Sequence, residues 1–176
     1  YAVKELRVDM SFHGKGTAKF FNAPDPLKNI KPHYLLCAIS CQKVLLYHIS
    51  DSPINSSTFN TFLWSLSGQF STENPSKCFF LYDNASFHST CPVTEKHLKD
   101  RNIFITHTAT LCCFSNPIEE FFSLVHNYFI HLLSLRMLNN DSNLSNEEYV
   151  ELIKYAINIA NEKCNYQMIF CRAGLL

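Results

Sequence analysis

The apolar positions change period several times along the chain, and each change marks an element. Residues 34–39 and 44–49 are two short apolar runs separated by Ser40, Cys41, Gln42 and Lys43, as expected of a β-hairpin. Upstream, residues 5–9 predict an initial strand. Residues 10–33, with Gly14, Gly16, Pro24, Pro26 and Pro32, read as an irregular connection. Phe59, Phe62, Leu63, Leu66 and Phe70 then fall at helical spacings, so a helix follows the hairpin, with Ser57 or Thr58 as its cap. Residues 78–82 are continuously apolar, the mark of a strand covered on both faces, and Asp83 and Asn84 end it. A polar helix near residues 93–100 and a short strand at 103–106 come next. Asn116 and Pro117 open a long helix through Phe122, Val125, Phe129 and Leu132 to about residue 138; Asn can cap it, and Pro loses nothing in a first turn. Ser145 and Glu148 form a capping box ahead of a final helix over 149–161.

The element order βββαβαβα is that of a ribonuclease H-like α/β domain. Three antiparallel strands are followed by two parallel ones reached through helical crossovers, giving a mixed five-stranded sheet flanked by helices, with an extra C-terminal helix. A doubly wound sheet would need a helix between the first strands, and the pattern has none. The expected division is a core over residues 1–138 and a helical extension over 139–176 packed on it.

Composition narrows the class. Of the 176 residues, 47% are hydrophobic and only 17% charged, which excludes a disordered tail or a low-complexity linker. Fifteen Lys plus Arg balance fifteen Asp plus Glu, so no global basic excess announces nucleic acid. Residues 1–33 nevertheless carry six bases against three acids. Eight cysteines with no C-x-x-C spacing, several inside apolar runs, read as buried thiols of a reducing, intracellular compartment rather than a disulfide framework or zinc site. The longest apolar helix is interrupted by His126, Asn127, His131 and Arg136, so no membrane span is expected.

Two acids stand where chemistry could sit. Asp83 ends the most buried strand, where open α/β sheets place their ligand sites, and an Asx-turn leaving a strand would explain it equally well. Glu119 lies in the first turn of the long helix, where an acid also simply complements the macrodipole.

The surrounding residues change that balance. Tyr82-Asp83-Asn84-Ala85-Ser86-Phe87-His88, followed by Asn116-Pro117-Ile118-Glu119-Glu120-Phe121-Phe122-Ser123, resembles the paired signatures of mariner/pogo-type DDE transposases. The 35 residues between Asp83 and Glu119 match the family's spacing of its second and third catalytic acids. Lys15-Gly16-Thr17, Ala38-Ile39-Ser40, Asn60-Thr61-Phe62-Leu63 and Phe170-Cys171-Arg172-Ala173-Gly174 extend the likeness over nearly the whole chain, without the family's N-terminal helix-turn-helix region.

The resemblance implies DNA strand cleavage and transfer in the nucleus, with transposon ends and target DNA as partners. It implies two Mg²⁺ or Mn²⁺ ions held by carboxylates that include Asp83 and Glu119, because hard divalent ions take oxygen ligands. A homodimer is left open. His88 would approach the scissile phosphate or else fill a buried polar position, and Lys15, Lys19, Lys28 and Lys31 would form a DNA-facing rim or a solvated loop. The chain also departs from the pattern. The prolines before the family's Asn-Pro-Ile-Glu are absent, His126 stands where a lysine is common, and Asp9, followed by Met10, lies only seven residues before Gly16. Counted from that glycine, the first catalytic aspartate is expected upstream of Tyr1, with Asp9 as the substitute. The expectation is therefore a truncated, partly degenerate and inactive copy. The rivals are a remnant that only binds DNA or protein, and a related ribonuclease H-like nuclease or integrase.

Overall fold

The computed structural model describes residues 2–8, 30–70, 77–82, 88–107, 116–138 and 144–175. Five strands, β1 (Ala2–Val8), β2 (His33–Ile39), β3 (Val44–Ser50), β4 (Cys78–Tyr82) and β5 (Ile103–His107), lie in the order β3-β2-β1-β4-β5. β1, β2 and β3 are antiparallel, whereas β4 and β5 run parallel to each other from Cys78 opposite Ile103 to Tyr82 opposite His107. A narrow seam joins these two ladders: Ala2 pairs with Leu81 and Val3 with Tyr82. The hairpin turn is closed by Ser40, whose backbone N–H donates to Lys43 O at 2.8 Å while its Oγ accepts from Gln42 N and Lys43 N.

Strand alternation divides β2 between two cores. Leu35, Cys37 and Ile39 join α3 (Pro117–Leu138), α4 (Asn146–Lys163) and α5 (Tyr166–Arg172) on one face. Leu36 and Ala38 join α1 (Ser56–Ser67) and α2 (Pro92–Asp100) on the other, with Phe80 and Tyr82 of β4. β4 departs from the expected cover on both faces, because Phe79 is 53% exposed. Phe79 alternates with Phe80, which faces α1 and α2, and the α3 side of the sheet is packed most closely at β1 and β2.

Two local expectations change. Asn55 rather than Ser57 or Thr58 caps α1, its Oδ1 accepting from Thr58 N at 3.0 Å. Asn caps as well as Ser and stands earlier, which draws both hydroxyl residues into the first turn. The C-terminal helix is also two helices. α4 runs on to Lys163, and Asn165 restarts the chain as α5 by accepting from Met168 N at 3.0 Å. The capping box at Ser145 and Glu148 is present as read from the sequence.

α4 is fastened to both ends of the β2–β3 hairpin. Asn146 Oδ1 accepts from Lys31 N at 3.0 Å, and Asn161 Oδ1 accepts from Val44 N at 2.9 Å and from the Tyr166 hydroxyl at 2.7 Å. α3 runs against it: Arg136 pairs with Glu148 at the end of α3, and Glu120 with Arg172 of α5 at its start. α3 therefore begins at the hairpin-turn end of the sheet, the end where β1 starts and the β4 seam lies.

Candidate active-site corner

Asn116 is 4% exposed and sets the start of α3. Its backbone O accepts from Glu119 N at 3.1 Å and its Oδ1 from Ile118 N at 3.4 Å, while Pro117 occupies the first turn without a lost donor. Ile118, Phe121 and Phe122 are driven into the core. The helical period then leaves Glu119 partly exposed and Glu120 outside. Glu120 Oε2 accepts from Arg172 Nη1 at 2.9 Å. Burial raises the Cys164 thiol to about 11, and the nearby Glu120 charge adds to that, so the end of α4 belongs to the same corner.

Tyr82 is the last described residue of β4 and is 1% exposed. Burial pushes its hydroxyl up to about 12 despite a hydrogen bond from Thr90, and its ring meets Phe59, His88 and His107 edge-on. Asp83 itself lies outside the described residues, as do Asp9, Lys15, Lys19 and Lys28. Lys31 is exposed, at the opposite end of β2 from the hairpin turn.

His88 does not suit a DNA-facing role. Its ring is 3% exposed and packs 4.6 Å from Phe59 and 5.4 Å from Tyr82, so it fills the buried position that was its other reading. The polar residues before it, Asp83, Asn84 and Ser86, conceal that outcome in the sequence, because they carry no burial signal for the histidine that follows. Arg172 is the site residue that sequence reasoning left among tail residues. No periodicity links it to Glu120, 52 positions away, and only the antiparallel return of α4 brings them together.

The register of β1 bears on the first acid. Val3 is level with Tyr82, and the next residue, Lys4, pairs with Cys37, a member of the α3-side core. Glu5 pairs with Leu36, which belongs to the opposite core. Val8, the neighbour of Asp9, lies five residues beyond Val3, about 17 Å along an extended strand.

Divalent metal ions would need clustered oxygen ligands. Among the described residues no three His, Cys, Asp or Glu side chains come together to hold one. Glu119 and Glu120 carry the oxygen donors of this turn, Glu120 is engaged by Arg172, and the described residues do not fit two ions. All six described cysteines are free thiols, with Cys37 and Cys78 buried. No described helix is long and apolar enough to cross a membrane.

No protein-family model and no curated protein matches the sequence. Known structures do match the fold. The Mos1 transposase catalytic domain with raltegravir and manganese superposes with a TM-score of 0.58 at 14% identity, covering 98% of this chain and 74% of that one. The Mos1 mariner paired-end complex with manganese gives 0.59 at 14% identity, and the Mos1 strand transfer complex 0.54 at 15%. The chain spans about half the length of the transposase in those two complexes, at 51% and 49%. With its sheet order, its two helical layers and α3 starting at the end of the sheet where the β1–β4 seam lies, the chain has an α/β, ribonuclease H-like fold similar to that of the Mos1 transposase catalytic domain.

Proposed function

We propose that this chain is a catalytic-core domain of the mariner/pogo transposase type that binds DNA and does not cleave it. The observation that carries the reading is the Asn116–Glu119 turn at the start of α3, at the same end of the sheet as the β1–β4 seam, in a fold similar to the Mos1 transposase catalytic domain. In an intact relative, divalent ions would activate water and stabilise charge at the scissile phosphate. Here Asp83 and Glu119 are the candidate carboxylates, and at most one ion would find two ligands. β1 brings Lys4, not an acid, to the position following the seam on the α3-side register. Asp9 follows a strand end about 17 Å further on, which supports a first acid that is absent from the site.

DNA is the partner this reading assigns, and Lys15, Lys19 and Lys28 would supply phosphate contacts, whereas Lys31 lies at the opposite end of β2 from the Glu119 corner. A fluorescence-anisotropy titration of a labelled duplex against the purified chain tests the reading. Binding should weaken linearly in log–log form with salt, by a slope of about −0.9 per phosphate contact. Absence of binding at low salt, or binding indifferent to salt, would overturn it.

A further inference from the structure

We infer that Arg172 is a DNA-phosphate contact at the edge of the Glu119 corner, an inference that rests on the DNA-binding reading above. Glu119 and Glu120 place two carboxylates on consecutive positions at the start of α3, and a phosphate approaching them would be repelled. Arg172 pairs with this turn through Nη1 to Glu120 Oε2 at 2.9 Å. One bond of this kind uses one of the five N–H donors of a guanidinium, and the side chain is still 58% exposed. Arginine is suited to phosphate because its planar fork can donate two parallel hydrogen bonds.

The residue is also held in place. α5 buries Tyr166, Ile169 and Phe170 in the α3-side core. Its end is closed by Gly174, whose φ of 72° favours glycine, with Leu175 N donating to Phe170 O at 3.0 Å and Gly174 N to Cys171 O at 2.9 Å. Arg172 therefore projects from an anchored turn. A pair exposed on both sides, at 58% and 42%, contributes little to folding, so stability alone gives a weak account of it.

A phosphate contact and a structural pair differ in the sign of one substitution. Arg172→Gln should weaken duplex binding by roughly three- to fivefold near 50 mM salt and reduce the salt slope by about 0.9. Glu120→Gln frees the guanidinium and removes a repulsive charge, so it should tighten binding by a similar factor. Anisotropy titrations of the whole chain over a salt series, with thermal unfolding of each variant, read both. Binding and slope unchanged in Arg172→Gln, while the wild-type chain binds DNA, overturns the inference and leaves the functional reading standing. Weaker binding in Glu120→Gln together with a lowered Tm in both variants also overturns it, because the pair would then be structural. A wild-type chain that does not bind DNA overturns both.

Discussion

Val3 of β1 pairs in parallel with Tyr82, the last described residue of β4, and Val8 lies five residues beyond it. That offset separates the end of β1 from the end of β4. Divalent-ion affinity should therefore be weak and independent of Asp9. Isothermal titration with Mn²⁺ checks this: Asp9→Ala should leave the affinity unchanged, while Asp83→Asn and Glu119→Gln each lower it.

Much of this fold was legible in the sequence, for identifiable reasons. The hairpin, α1, α3 and the capping box of α4 each carry a local signal, namely alternation, helical spacing or a cap residue beside its acid. Asn55 was passed over because Ser57 and Thr58 are themselves acceptable caps, and α5 because Asn165 restarts a helix within three residues of the last one. The two candidate acids were singled out by the motifs around them and by the spacing between those motifs. Arg172 and the burial of His88 were not, since both depend on how distant segments meet.

The α3-side core should fail at Phe121, which is fully buried among β2, α4 and α5 residues and stacks against Tyr166 at 5.9 Å. Phe121→Ala should cost about 3–5 kcal/mol, through lost transfer energy and the cavity left behind. Denaturant unfolding measures it. A loss below about 1 kcal/mol would mean that the C-terminal helices do not share this core.

The start of α4 should be sensitive to acid. Glu148 accepts from Ser145 N and from Arg136, and these hold its carboxyl below the usual glutamate value. A lowered folded pKa adds stability above the unfolded pKa and loses it as pH falls through the folded one. Glu148→Gln keeps the capping geometry and removes the charge. Its Tm should lie below wild type at neutral pH, and the difference should shrink below about pH 4.3 and then vanish. A difference independent of pH would assign the effect to geometry instead of charge.

Thiol reactivity should separate two cysteines cleanly. Cys91 stands at the N-terminal boundary of α2, is exposed, and has its thiol pKa lowered by hydrogen bonding to Thr94, with Sγ and Oγ1 3.2 Å apart. Cys37 is fully buried, and burial raises its thiol. Iodoacetamide labelling followed by peptide mass spectrometry should modify Cys91 early at neutral pH and Cys37 only after unfolding. Early labelling of Cys37 in the native chain would contradict the sheet packing.

Strand nicking most directly tests the proposal of a transposase-type core that holds DNA without cutting it. Supercoiled plasmid is incubated with the purified chain and Mg²⁺ or Mn²⁺, with Asp83→Asn and Glu119→Gln as controls. Losing even about 4 kcal/mol of transition-state stabilisation lowers a rate roughly a thousandfold, so a site short of one acid should leave the plasmid closed in all three samples. Metal-dependent nicking by the wild-type chain that disappears in both variants would contradict the claim and show a complete catalytic site.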